Sequence, residues 1–150
     1  GPAGPFTLTA RADRIDVVSG RVSITDYKAG ASLSKLRSDA KDGFAPQLAL
    51  EAAIVMAKGF ANLQADRIGM LRYISASGGE PAGEVFEIKA DDLEKLASDA
   101  RAGAEKLIAA FDDPNTPYRA VRRARFSYDY DDYAHLARAD EWAGVTGEGE

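Results

Sequence analysis

An α/β domain, with a β-sheet covered by helices, is the fold class this 150-residue sequence predicts. Three observations predict it. Residues 13–28 alternate apolar and polar side chains about Ser19-Gly20, the pattern of an antiparallel hairpin. Residues 46–57 are apolar almost all round, as a buried helix is. From Leu93 to Phe111 apolar residues recur at helical spacing, which gives a long helix to cover the sheet. With 45% hydrophobic and 29% charged residues, the chain has the composition of one ordinary globular domain with a core.

The hairpin comes first and carries the chemistry. With a two-residue turn at Ser19-Gly20, Val18 faces Arg21, Val17 faces Val22, Ile15 faces Ile24 and Asp13 faces Asp26. Side chains alternate along a strand, so Asp13, Ile15 and Val17 share a face with Val22, Ile24, Asp26 and Lys28. Arg14, Asp16, Arg21, Ser23, Thr25 and Tyr27 fall on the other, mostly polar face. The core side is thus apolar near the turn and acidic at Asp13 and Asp26. Facing carboxylates, with Cβ atoms about 5 Å apart, repel without a counter-charge. Nearby apolar side chains sharpen that conflict, and a hard divalent cation such as Mg²⁺ resolves it. Lys28, two residues beyond Asp26, reaches the same space. The alternative is an amphipathic hairpin with charged ends, in which Lys28 only pairs with Asp26; a register slip or bulge would also undo the pairing.

The hairpin strands extend over residues 6–18 and 21–28, because Phe6, Leu8, Ala10 and Ala12 alternate with Thr7, Thr9 and Arg11. Residues 29–45 are small, polar and glycine-containing, and read as a long loop. Its Lys35, Arg37 and Lys41 either reach phosphates or remain solvated. Pro46 suits a helix start, and Gly59 a stop after about Ala57. Gln47 and Glu51, at i and i+4, are the polar exceptions on this helix and share a face. They look into a site or, as the sequence alone favours for Glu51, only complement the helix dipole. Arg67–Ser75 reads as a strand, residues 77–83 as a loop and Glu84–Ile88 as a short strand. Asp91-Asp-Leu-Glu94 has the pattern of a capped helix start, and Asp112-Asp-Pro-Asn-Thr-Pro117 ends that helix.

Residues 118–150 read as an irregular extension with a disordered tail. Arg119, Arg122, Arg123 and Arg125 form a basic cluster, followed by the acidic Tyr128-Asp-Tyr-Asp-Asp-Tyr133. The cluster binds phosphate or, more simply, pairs with the acidic run. His135 and Trp142 suit docking better than catalysis.

Composition also excludes. Without cysteine there is no disulfide, zinc–thiolate site or cysteine-ligated cluster, and a single histidine rules out a multi-histidine metal site within one chain. No apolar run is long enough to span a membrane. The opening Gly-Pro-Ala-Gly-Pro lacks the basic flank and apolar stretch of a signal peptide, so the cytoplasm is the expected location. A net charge of −5 argues against a DNA binder that relies on bulk charge. Residues 1–75 nevertheless carry ten Lys/Arg against seven Asp/Glu, so the candidate site lies in the basic half.

Ala12-Asp-Arg-Ile-Asp16, then Asp26-Tyr-Lys-Ala-Gly30, then Pro46-Gln-Leu48 resemble the RecB-type branch of the PD-(D/E)XK nucleases. The closing Tyr133-Ala-His-Leu-Ala-Arg138 and Asp140-Glu-Trp142 are similar to the C-terminus of AddB-type proteins, especially the cysteine-free alphaproteobacterial form. The resemblance implies a mixed central sheet flanked by helices, a restriction-endonuclease-like core over residues 1–117. It implies a Mg²⁺- (or Mn²⁺-) dependent DNA exonuclease in double-strand break repair by recombination, the alternatives being a non-catalytic DNA-binding or docking module and an independent RecB-like or Cas4-like nuclease. Its implied partners are DNA, an AddA helicase-nuclease subunit and the rest of AddB, with no membrane.

By the same resemblance, Asp13 and Asp26 hold the metal with the backbone carbonyl of Tyr27. Lys28 positions or activates the attacking water, and Gln47 orients the lysine or the substrate. Asp16 matches a recurrent acid, but its register assigns it to the opposite face and a structural role. Two departures stand out. Relatives commonly carry a further His or Glu ligand on a helix before the first strand, where this sequence begins. Many also have Tyr where this chain has Glu51.

Overall fold

The computed structural model describes residues 1–29, 33–41, 45–76, 78, 80, 82–89 and 91–117. Cα proximity divides the chain into two units, 1–112 and 113–150. The second is described only at residues 113–117. The Arg119–Arg125 cluster, the acidic run, His135, Trp142 and the AddB-like closing residues lie outside the described residues, as do the side chains of Lys35 and Lys41.

The first unit is a four-stranded mixed sheet with helices, in chain order β1 (Arg14–Val18), β2 (Arg21–Lys28), α1 (Leu33–Lys41), α2 (Gln47–Met56), β3 (Arg67–Ala76), β4 (Gly83–Glu87) and α3 (Leu93–Asp112). The sheet order is β1-β2-β3-β4. The outer pairs are antiparallel and β2 runs parallel to β3. Antiparallel neighbours need only a tight turn, whereas the parallel pair needs a long crossover, here carrying α1 and α2.

The hairpin has the expected register: Val18 pairs Arg21, Val17 pairs Val22 and Ile15 pairs Ile24. Ser19 and Gly20 both adopt positive φ, at 51° and 73°, as the tight turn requires. The first strand is shorter than the alternation suggested. β2 stops at Lys28, so residues 6–10 have no partner to extend the ladder. Phe6 and Leu8 instead line an apolar groove with Leu50, Ile54, Leu107 and Ile108 of α2 and α3. The stretch expected to be one long loop contains α1, which the sequence hides because Leu33–Lys41 is short and mostly polar.

A β-bulge decides which β3 side chains face the core. Val22 pairs Ile68, but Ser23 pairs Met70, which leaves Gly69 as the extra residue. A side chain there would bring a Cβ to 2.9 Å from Arg21 Cβ, so the close approach requires glycine. The bulge shifts the alternation by one, so Ile68 and then Leu71 and Tyr73 join the face of Val22, Ile24 and Asp26. α2 covers that face with Leu48, Ala52, Ala53 and Val55, all buried. α3 contributes Ala97, with Leu93 and Leu96 partly buried beside it. Its second half is mostly exposed, including Leu107 at 54%, so only the first turns of α3 cover the sheet. Asp92 caps α3: its Oδ1 accepts the Lys95 amide at 2.9 Å.

Among the described residues no helix is long and apolar enough to cross a membrane.

Candidate active site

β2 delivers Asp26 and Lys28 to the core side of the sheet, at the end where the apolar floor of Val22 and Ile24 gives out. Asp26 is buried, with 3% of its surface exposed. Lys28 Nζ lies 2.8 Å from Asp26 Oδ2, an ion pair without hydrogen-bond geometry. α2 starts beside them. Its first residue, Gln47, donates from Nε2 to Asp26 Oδ1 at 2.7 Å and accepts from Lys28 Nζ at 3.2 Å on Oε1. One amide therefore holds both the carboxylate and the ammonium, matching a donor to the acid and an acceptor to the base. Of the two readings of Gln47, the geometry is that of the one that turns it towards Asp26 and Lys28.

Glu51 lies buried beside Gln47, where the sequence alone favoured a role at the helix dipole. It is not in the first turn of α2, where a dipole role would put it, but one turn on, with 3% of its surface exposed. Gln47 Nε2 also donates to Glu51 Oε1, at 3.2 Å. Burial pushes the Glu51 carboxyl above its ordinary range, and Asp26 and Asp13 add to the rise; the Gln47 bond and Lys28 oppose it.

Asp13 stands just outside β1, next in register opposite Asp26, but exposed. Its Oδ2 accepts the backbone N–H of Tyr27 at 2.9 Å. The Tyr27 amide thus anchors Asp13 at the mouth of the site, and the Tyr27 side chain is exposed. Asp16 pairs with Arg14 at 2.8 Å on the hairpin's outer side, the structural role its register assigned. Hydrogen bonding to Asp16 and then to Tyr27 raises the Arg14 pKa, and their charges add to the rise.

Tyr73 is the residue that sequence reasoning missed. It pairs with Asp26 across the β2–β3 ladder and is 1% exposed. Lys28 Nζ lies 5.9 Å from its ring centre, within cation–π range, and the ring stacks on Phe86 of β4 at 6.3 Å. Burial pushes the phenol up to about 12; Asp26 and Glu51 add to the rise, and the Leu48 backbone offsets part of it. Only the bulge at Gly69 brings Tyr73 to this face, and nothing in the alternation of residues 67–75 announces a bulge. On the opposite face Arg72 Nε donates to the buried Thr25 Oγ1 at 2.8 Å, which locks the same two strands from behind.

A family model for the PD-(D/E)XK nuclease superfamily matches residues 1–126. The chain belongs to that superfamily. The mixed four-stranded sheet with flanking helices is accordingly the restriction-endonuclease-like fold of the PD-(D/E)XK nucleases. Searches of curated proteins and of solved structures found no match to this PD-(D/E)XK chain. Membership makes the domain a nuclease in its general chemistry, of a kind that typically uses divalent metals.

Among the described residues, no three His, Cys, Asp or Glu side chains are grouped closely enough to hold a metal ion by themselves. The donors that are present are nonetheless of the right kind. Mg²⁺ takes hard oxygen ligands, often only one or two carboxylates, and keeps several waters. Of the buried carboxylate oxygens without a hydrogen-bond partner among the described residues, Asp26 Oδ2 meets the Lys28 ammonium and Glu51 Oε2 makes no ion pair. Buried oxygens left so cost free energy unless a cation or proton meets them. The residues present therefore fit a hard divalent cation.

Proposed function

We propose that this domain is a Mg²⁺- or Mn²⁺-dependent DNA exonuclease of the RecB type. The observation that carries the reading is the Asp26–Lys28–Gln47 triangle, in which one side-chain amide fixes an acid and a base side by side. Asp13 and Asp26 would hold the cation, with the backbone carbonyl of Tyr27. When bound, the cation lowers the pKa of water and stabilises charge on the phosphoryl group and the leaving oxygen.

The protein's own side chains do the rest. Asp26 is held by Gln47 Nε2 through Oδ1, so its other oxygen stays turned towards Lys28. Lys28 has three N–H donors, and Gln47 Oε1 takes one of them. The remaining donors serve a phosphate oxygen or the attacking water. Tyr73 closes the floor beneath the ammonium.

The AddB-like closing residues support a finer assignment. In it, the domain trims the 5′-terminated strand while DNA is unwound, with an AddA helicase-nuclease and the rest of AddB as partners, in recombinational repair of double-strand breaks.

The test is cleavage of end-labelled linear single- and double-stranded DNA in Mg²⁺ and in Mn²⁺, with closed circular DNA alongside. Linear DNA is degraded, circular DNA survives, and chelation stops the reaction. Asp26→Ala and Lys28→Ala each lower the rate by at least about 100-fold while circular dichroism stays native. Full cleavage by either folded variant overturns the site assignment. A folded wild-type chain that cuts nothing, with or without AddA, is instead a docking or DNA-binding module.

A further inference from the structure

Three buried side-chain atoms among the described residues lack a hydrogen-bond partner: Asp26 Oδ2, Glu51 Oε2 and the Tyr73 hydroxyl. They are neighbours. Asp26 and Tyr73 face each other across β2 and β3, and Glu51 shares the Gln47 Nε2 atom with Asp26. Asp26 Oδ2 at least has the Lys28 ammonium 2.8 Å away. Glu51 Oε2 has nothing, although its residue is 97% buried and its other oxygen points to the nitrogen that Asp26 also uses.

The charges do not balance either. Asp13, Asp26 and Glu51 bring three carboxylates within electrostatic reach of one another, and Lys28 is the cation that meets them. When all are ionised, Lys28 offsets one of the two buried charges, Asp26 and Glu51, which leaves one buried negative charge, with exposed Asp13 adding another at the mouth. Burying an unpaired charge costs several kcal/mol, about the scale of a domain's whole stability. Gln47 relieves only part of this, because an amide donates hydrogen bonds but carries no charge. Dipole complementarity does not explain Glu51, which lies beyond the first turn of α2.

We infer that Glu51 is a ligand of the divalent cation, supplying through Oε2 a carboxylate from α2 to stand with Asp26 of β2. This rests on the reading of the site as cation-dependent and adds to it a ligand from the crossover helix. The cation would then join the sheet to α2 directly. Gln47, now bridging both carboxylates, sets their separation through its single Nε2 and holds them ready for the ion.

The experiment titrates Mn²⁺ alone, without DNA, into the full chain and into Glu51→Gln, Glu51→Asp and Asp26→Asn, by calorimetry and by the free Mn²⁺ electron-spin signal. Metal-free thermal unfolding of each is recorded in parallel. Glu51→Gln keeps the shape and removes the charge. Its metal-free midpoint is expected to equal or exceed that of the wild type, while its Mn²⁺ affinity falls by about tenfold or more. A purely structural Glu51 gives the reverse, a lower midpoint with unchanged affinity. Glu51→Asp keeps the charge but withdraws the oxygen by about 1.5 Å, one carbon–carbon bond, and also weakens binding. Mn²⁺ affinity within about twofold of wild type in Glu51→Gln, or in Glu51→Asp should the former not fold, overturns the inference. If Asp26→Asn loses Mn²⁺ while the Glu51 variants keep it, Glu51 alone is excluded and the cation-dependent reading stands. If the wild type takes up no Mn²⁺ saturably, both fall.

Discussion

Gln47 shows how much one side chain arranges. Its two ends are chemically opposite, and each meets the partner of opposite need: the nitrogen serves Asp26 and Glu51, the oxygen serves Lys28. The shared face of Asp26 and Lys28 and the position of Gln47 at a helix start were legible in the sequence because each follows from a local rule, strand alternation for the first two and a preceding proline for the third. Glu51 was visible as a residue but not as a site member. An acid near a helix start has an ordinary explanation, and only burial removes it. Tyr73 leads to a pH prediction. Its phenol ordinarily ionises near 10 but is pushed up to about 12 in the fold. Below pH 10 the phenol is neutral in both states and the full stability is present. As pH rises from 10 through about 12, the unfolded chain ionises first and stability is lost, by about 2–3 kcal/mol for a shift of this size. Urea unfolding between pH 9 and 12 checks this. Tyr73→Phe removes the alkaline loss, and near neutral pH it is neutral or slightly stabilising, since the hydroxyl it deletes has no partner.

At the scale of elements, the site depends on two strands and one helix meeting at one end. The hairpin register was readable because Ser19-Gly20 allows one pairing, and the structure has it. Helix α2 was readable from its apolar sweep and Pro46, which lies at its N-cap. Helix α1 was not, because only three apolar residues, Leu33, Leu36 and Ala40, mark its face among nine mostly polar ones, and the unpaired start of the chain looked like strand because alternation alone does not reveal where a partner ends. The bulge at Gly69 was the costliest omission, since it turns Tyr73 towards Asp26. Gly69→Ala tests its importance. The added Cβ meets Arg21 Cβ, an atom on the neighbouring strand that cannot swing aside. The expected loss is about 1–3 kcal/mol by chemical denaturation, as for other overpacked positions. Cleavage should fall as well, because straightening the bulge would turn Tyr73 out of the site. Wild-type stability in Gly69→Ala would mean that β3 tolerates the bulge with any small residue.

For the whole molecule, the sequence carried the fold class and the acidic balance but not the sheet order. A hairpin, a buried helix and two later strands are compatible with several arrangements. Nothing local states that β3 lies parallel beside β2 rather than pairing with β4 alone. The parallel pairing has a consequence in time. The β1–β2 hairpin closes between neighbours in the chain and can form within microseconds, whereas β2 and β3 are joined only after the whole stretch between Lys28 and Arg67 has been gathered in. Asp26 and Lys28 arrive with the early piece, Gln47 and Glu51 with the late one. In refolding from denaturant, hairpin signal should therefore precede Mn²⁺ uptake, which stopped-flow circular dichroism and Mn²⁺ release from a chelating dye can time. Uptake in the earliest phase would contradict this order. A chain still emerging from the ribosome holds its acid and its lysine long before it holds the partners that align them, so the nuclease stays unassembled until the sheet is nearly complete.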